Sequence, residues 1–263
     1  MTDERLVVIG TGIRLVGQLT VESTAWIKCG ERIFHIADDP LIVALLSNIN
    51  PSAELSALTH LYGENKSRAE TYEAMVQTIM ESVRKPGLTV CTFYGHPGVM
   101  AYPGHEAIRR SRLEGFKARM LPAVSAEDCL FADLGLDHAM TGYQTYEATD
   151  FLWNDRRLDL SSHLVLWQIG AVGDLTFHEG EYNLSALPLL VEKLLRWYPP
   201  SHEVTVYEAA VMIDCEPHIR KVPLGELRAN VVSARSTLSV PPAAAVKADR
   251  SMYERYKALS HGG

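Results

Sequence analysis

The stretch YGENKSRAETYEAM, residues 62–75, sets two tyrosines around an arginine at the head of an amphipathic helix. Ser67 and Glu70 have the Ser-x-x-Glu spacing of a capping box, which predicts that the helix begins at Ser67. Arg68 then falls in the first turn, and Tyr72, four residues on, shares its face. Tyr62 comes from the preceding loop and can fold over that face. A guanidinium beside phenols favours the phenolate and lowers the tyrosine pKa. Tyr62 or Tyr72 could then act as a base, with Arg68 and the other hydroxyl as donors to a developing negative oxygen. Spacing alone favours a plainer account, with Tyr72 one more member of a core-facing stripe and Arg68 a solvated residue.

Other stretches hold groups suited to a ligand. VVIGTGIRLVGQ ends a strand in Gly10 and Gly12, and Asp38 closes the second strand, the outline of a dinucleotide site. The third glycine of that fingerprint falls at Leu15, whose branched side chain denies the close helix-to-sheet packing required. The dinucleotide reading is therefore rejected, and a tight strand-to-helix turn stands beside any ligand role. FYGHPGV ends a buried strand in Gly95, Pro97 and Gly98; glycines admit a ligand to the backbone and proline stiffens the loop. Taken alone, that motif is most simply a turn, and His96 a capped loop histidine. Ser125 and Asp128 read as a capping box. Gln168 sits in an apolar strand, where burial would require a hydrogen bond to ligand or backbone.

The elements that position these residues alternate. RLVVIG and RIFHIAD read as strands, LTVESTAWIKCG as a helix stopped at Gly30, and LIVALLSNIN as a short helix. A long helix is predicted from about Ser67 to Arg84, with Tyr72, Met75, Val76, Ile79, Met80 and Val83 along one stripe. LTVCTFYG, HEAIRRSRLEG and KARMLP continue as strand, helix and strand, so the first half is expected to be a parallel sheet covered by helices. A helix over Ser125–Leu134 opens a second α/β half with more antiparallel character, carried by GYQTYEAT, SHLVLWQIGAV, LSALPLLVEKLLRWY, HEVTVYEAA and RSTLSV. The expected division is 1–122, an N-terminal α/β domain, 123–250, a C-terminal mixed α/β domain, and 251–263, a polar tail.

Composition narrows the classes. A chain of 263 residues with 47% hydrophobic and 22% charged residues can bury one large or two modest cores. A formal charge of -7 argues against a nucleic-acid binder, and the basic run IRRSRLEGFKAR reads as a solvated helix face. Four scattered cysteines with no C-x-x-C pair predict neither disulfides nor zinc and fit a reducing cytoplasm. No apolar run is long enough to span a bilayer, and the first residues are not a signal peptide.

At VVIGTGI, FYGHPGV and LPAVSAEDCLFADLG the chain resembles the tetrapyrrole-methylase superfamily, which uses S-adenosylmethionine; the likeness runs from about Leu6 to Pro242. Within it, YGHPGV, ARMLPAVSAEDCLFADLG, TYEATDFL and SHLVLWQIGAVG resemble the borosin peptide α-N-methyltransferases, which methylate backbone amides of a ribosomal peptide. KSRAETY matches the tyrosine-arginine-tyrosine cluster of that branch. Where corrinoid and porphyrin enzymes carry Gly-Pro-Gly-Asp, this chain reads Gly12-Ile13-Arg14-Leu15, a departure shared with the borosin branch.

The resemblance implies a two-domain tetrapyrrole-methylase-like α/β fold with S-adenosylmethionine as methyl donor. It implies catalytic roles for Tyr62, Arg68, Tyr72 and Tyr94, the last helping to place the methyl. Donor contacts are implied for Tyr94, His96, Val99, Ala101, Ser125, Ala126, Gln168, Ala209, Ser236 and Thr237. It also implies a homodimer. Fused members carry their core peptide on a C-terminal extension; no such apolar core precedes Gly263, so a separate precursor peptide is the expected substrate. A small-molecule tetrapyrrole methyltransferase and a catalytically silent relative that binds donor and peptide stand as alternatives.

Overall fold

The structure, a computed structural model, describes residues 3–36 and 39–260. Asp38, the ribose-binding acid of the rejected reading, lies outside the described residues. The chain forms two compact units. The first comprises Met1–Leu136 with two returning segments, Asp174–Tyr182 and Glu208–His218. The second comprises Asp137–Gly173, Asn183–Tyr207 and Ile219–Gly263. Pro122 follows the last strand of the first sheet, and the first unit continues past it through a further helix.

The first unit runs β1 (Leu6–Gly10), α1 (Val21–Cys29), β2 (Arg32–His35), α2 (Pro40–Ile49), β3 (Glu54–Ala57), α3 (Arg68–Val83), β4 (Thr89–Phe93), α4 (Tyr102–Leu113), β5 (Ala118–Met120) and α5 (Ala126–Leu134). Its sheet has the order β3-β2-β4-β1-β5 and is parallel throughout, as the strand–helix alternation predicts. The edge strand β3 escaped the sequence reading, because ELSA is too short and too polar to announce itself. β1 and β4 lie at the centre, every residue buried. α3 lays Met75, Ile79 and Val83 against Leu6, Val8, Cys91 and Phe93, with Tyr62, Tyr72 and Ala101 at the margin of that cluster.

The sheet changes direction between β1 and β4: β1 leads outward to β2, while β4 leads through α4 to β5 on the far side. Open α/β sheets bind ligands outside the strand carboxyl ends at such a switch point. Here the two loops leaving those ends are fastened together. Gly12 N–H donates to Gly95 O at 3.3 Å and Gly95 N–H to Gly12 O at 2.9 Å. The contact is possible only because Gly10 has no side chain: a Cβ there would stand 2.0 Å from Gly95 O and 2.6 Å from Ala123 Cβ.

The second unit runs β6 (Tyr143–Glu147), α6 (Ala148–Trp153), β7 (His163–Trp167), α7 (Leu187–Leu194), β8 (Glu203–Glu208), β9 (His218–Pro223), β10 (Thr237–Val240) and α8 (Arg250–Ser260). Its sheet has the order β6-β7-β10-β8-β9 and is mixed: β6 is parallel to β7, and β10 is antiparallel to β7 and β8. Leu164, Leu166, Val206 and Leu238 meet Leu187, Leu190 and Leu194 of α7 in one apolar core, so the segment LSALPLLVEKLLRWY turns an apolar face to that core.

Gly10→Ala forces two backbones apart at the centre of the first sheet and should cost about 3 kcal/mol, the upper range for overpacking a filled core. Urea unfolding should show a lower midpoint with an unchanged m-value; an unchanged midpoint would contradict the close approach.

Candidate active site

Tyr62, Arg68 and Tyr72 stand together in the first unit, and a segment absent from the sequence reading completes their corner. Asp174–Tyr182 returns to pair with the chain before α3. Asn65 N–H donates to Phe177 O, Phe177 N–H to Lys66 O and Arg68 N–H to Leu175 O, at 2.9, 2.9 and 3.0 Å. Ser67 bridges Thr176 in antiparallel fashion. This pairing corrects the predicted capping box: Ser67 occupies the N-cap position, but its side chain makes no cap hydrogen bond. The Arg68 amide in the first turn is satisfied by the returning backbone instead.

The strap also holds the side chains. Phe177 stacks on Tyr62 with centroids 4.5 Å apart. Arg68 donates through Nη2 to Asp174 O, and its guanidinium carbon lies 5.4 Å from the centroid of the Tyr182 ring. Arg68 Nε is buried and has no hydrogen-bond partner among the described residues. Behind Tyr182, at 5.2 Å and edge-on, is His178. Its ring Nδ1 lies 2.6 Å from Glu64 Oε1 and its Nε2 3.0 Å from Asp174 Oδ2, so each ring nitrogen meets a carboxylate, an arrangement that favours the doubly protonated ring. That arrangement raises the His178 pKa, chiefly through the Glu64 hydrogen bond, and holds Glu64 below the usual carboxylate range. Asp174 is partly raised by burial but lowered overall, first by the hydroxyl and amide of Thr176 that donate to it and then by His178.

The phenols behave opposite to the expectation drawn from Arg68 alone. Burial raises both, and the charge of Arg68 does not outweigh it. Tyr62 is pushed further, since Tyr72 and Tyr182 crowd it with prospective negative charge and its hydroxyl donates to Tyr72. The same hydrogen bond lowers Tyr72, and Arg68 stands second only to burial among its influences. Of the pair, Tyr72 is therefore the easier to ionise, an ordering that spacing could not supply.

Tyr94, His96, Val99 and Ala101 line the loop that leaves β4. Tyr94 is 45% exposed and Tyr102 50%, with Val99 and Met100 also open to solvent, an aromatic and apolar surface at the switch point. Met100 holds a left-handed backbone at φ 51°, strain of the kind that collects at ligand sites. His96 Nδ1 accepts from Gly98 N–H at 2.9 Å, so this histidine folds its own loop, and the proton of its neutral form sits on Nε2. Ser125 closes a complete capping box with Asp128 at the head of α5, which commits its hydroxyl; Ala126 follows as the first helical residue. The rejection of a dinucleotide site gains a direct reason. Gln18 Oε1 accepts from the backbone N–H groups of Ile13 and Arg14 at 2.7 and 2.9 Å, occupying donors that a phosphate would need.

In the second unit Gln168, Ser236 and Thr237 share one corner: Ile169 N–H donates to Ser236 O at 3.1 Å, and a Cβ on Gly170 would strike Ser233 O at 1.8 Å. Ser236 Oγ accepts from Ser233 N–H at 2.8 Å, and Ser236 and Thr237 are buried. Gln168 is not the buried strand residue expected. β7 ends at Trp167, and Gln168 turns left-handed at φ 59°, which carries its side chain out to solvent and removes the burial argument. Ala209 follows β8 directly and belongs to the first unit. The arginines of IRRSRLEGFKAR are engaged: Arg109 and Arg110 pair with Glu106, Arg110 with Glu73, and Arg119 with Glu4.

Comparison with known proteins places this geometry in context. Residues 5–228 match the family described as Tetrapyrrole (Corrin/Porphyrin) Methylases. The chain is 40% identical over 243 residues to the methyltransferase/ribosomally synthesized cyclic peptide dendrothelin A precursor of Dendrothele bispora, covering 91% of this chain and 58% of that protein. It is 38% identical over 261 residues to the corresponding omphalotin A precursor of Omphalotus olearius, covering 98% and 62%. The chain thus spans about three fifths of the length of these relatives. Among solved structures, the uroporphyrin-III-C-methyltransferase of Thermus thermophilus superposes with a TM-score of 0.66 at 18% identity, over 92% of this chain and 93% of that one, a likeness of fold.

His178 makes the strap sensitive to pH. Because its folded pKa is raised, its contribution is full below the ordinary value of 6.5 and is lost as pH rises through the folded value. The lowered Glu64 and Asp174 act with the opposite sign, contributing above their ordinary 4.5 and 3.8 and failing in acid. Hydrogen exchange at the Asn65 and Phe177 amides, corrected for intrinsic rates, should show protection falling on both sides of a maximum. His178→Gln should abolish the alkaline fall; a wild-type profile flat above neutrality would refute the coupling.

Proposed function

Since the chain belongs to the tetrapyrrole (corrin/porphyrin) methylase family, we propose that it transfers methyl groups from S-adenosylmethionine to backbone amide nitrogens of a ribosomally made peptide. The observation that carries the peptide reading is the buried Nε of Arg68, without a partner among the described residues, beside two half-buried phenols. A buried N–H without an acceptor is costly, and an amide carbonyl oxygen is an acceptor of the right kind.

An amide nitrogen is a poor nucleophile because its lone pair is delocalised into the carbonyl. It becomes competent as its proton leaves and charge moves to oxygen, which calls for a base and for donors at that oxygen. Tyr72, the more easily ionised phenol, takes the amide proton. Tyr62 donates to Tyr72 and stabilises its phenolate, while Arg68 Nε–H meets the developing oxyanion. When bound, S-adenosylmethionine supplies the electrophilic methyl. Tyr94, Val99 and Ala101 would give its apolar portion a surface, with His96 shaping the loop, and the head of α5 at Ser125 and Ala126 suits its carboxylate. Gln168, Ala209, Ser236 and Thr237 are proposed donor contacts on the family resemblance alone. A homodimer is proposed on the same ground, and a cytoplasmic setting from four free cysteines. No helix among the described residues is long and apolar enough to cross a membrane.

Protein incubated with S-adenosylmethionine and a synthetic peptide bearing an apolar core should yield methyl increments on backbone fragment ions in tandem mass spectrometry. Methylation of a tetrapyrrole with none on peptide would sink the reading. Tyr72→Phe should cut kcat by about 10²–10⁴-fold and Arg68→Lys by about 10²–10³-fold, with donor affinity by calorimetry little changed. Because both phenols are raised, wild-type kcat should climb about tenfold per unit between about pH 7 and 9. A plateau across that interval would exclude a tyrosine base.

A further inference from the structure

Arg68 is the group on which the proposed chemistry turns, yet its own helix does little to aim it. The returning strap makes two contacts with the Arg68 side chain: Nη2 donates to the Asp174 carbonyl, and the guanidinium carbon lies 5.4 Å from the centroid of the Tyr182 ring. A guanidinium held at one edge by a carbonyl and across one face by a ring cannot rotate freely about its side-chain torsions. Nε is the buried nitrogen that this clamp leaves without a hydrogen-bond partner among the described residues. The Tyr182 ring is itself braced, since His178 stands edge-on to it at 5.2 Å and is fixed between Glu64 and Asp174.

We propose that Tyr182 is a positioning residue of the site: its ring clamps the Arg68 guanidinium so that the unpaired Nε–H is held in one orientation for the acceptor oxygen of the substrate. Cation–π attraction is strongest where the cation is shielded from water, as in this half-buried corner. Tyr182 also sits near enough to both other phenols for its charge to oppose theirs. The corner therefore holds three tyrosines about one arginine, and the third arrives from 110 or more residues downstream of the other two. The inference rests on the proposed methyl transfer for its kinetic arm alone.

The test compares Tyr182→Leu, which removes the ring, with Tyr182→Phe, which keeps it. In ¹⁵N-labelled protein the Arg68 Nε–Hε resonance, assigned by its absence in Arg68→Lys, should be dispersed and slow to exchange. Tyr182→Leu should collapse it toward the solvent-averaged position, and Tyr182→Phe should restore it. With S-adenosylmethionine and the synthetic peptide, Tyr182→Leu should lower kcat at least about tenfold without changing donor affinity, and Tyr182→Phe should recover to within about threefold of wild type. Within an Arg68→Lys background Tyr182→Leu should change kcat less than about twofold, because its effect passes through the guanidinium. An unmoved Nε–Hε signal, an equal loss in the Arg68→Lys background, or a loss of donor binding would each overturn the proposal. Tyr182→Met, of similar length and without a ring, serves the same comparison if the leucine variant does not fold. Should the wild type methylate no peptide, the functional reading fails while the resonance still decides the clamp.

Discussion

A guanidinium withdrawn from water beside phenols must have its hydrogen bonds found for it, and the first unit is organised around that requirement. The head of α3 brings Arg68 and Tyr72 onto one face, but the helix cannot supply acceptors to its own first-turn arginine. The acceptor comes from Asp174, the facing ring from Tyr182, and the amide partner of Arg68 from Leu175. The strap that does this belongs to neither five-stranded sheet; it is held by the short antiparallel pairing with Asn65–Arg68 and by the His178 ion cluster. Burial achieved in this way explains why the phenols resist ionisation despite the cation between them. Desolvation acts on the whole ring system, whereas the attraction to Arg68 is one contact among several.

The donor side of the first unit depends on a different economy, the omission of side chains. Gly10 lets two loops meet backbone to backbone across the switch point, and Gln18 spends its amide oxygen on holding the first of them. The loop that leaves β1 is consequently a closed structural plug. The loop that leaves β4 keeps Tyr94, Val99 and Met100 outward, and these form the open surface at the sheet's carboxyl end.

Local grammar made much of this legible. The alternation of buried strands and amphipathic helices fixed a parallel first sheet, and Ser-x-x-Asp at Ser125 gave a true capping box because both partners lie within one turn. The same grammar misread Ser67: its N-cap position was visible, but the returning backbone that replaces the box was not. Gln168 was misplaced for a related reason. Strand periodicity continues through Trp167, and nothing in the string LWQIG marks the left-handed turn that takes the glutamine out of the sheet. The direction of the tyrosine shifts was beyond reach, since burial is a property of the assembled corner. Tyr182 and His178 left no trace, because GDLTFHEGEY has neither helical nor strand spacing.

The separation of Arg68 from Asp174, 106 residues, has a consequence for the order in which the chain becomes competent. Contacts of such range form after local ones, and the first unit's sheet and α3 are complete in sequence well before the strap exists. During synthesis at about 5–20 residues per second, α3 emerges roughly 5–20 s ahead of the segment that closes over it. In that interval Arg68 and the tyrosines are an ordinary wet helix end, with phenols near their solution behaviour and no oriented N–H. The corner's chemistry is thereby acquired only once the chain has been made past Tyr182.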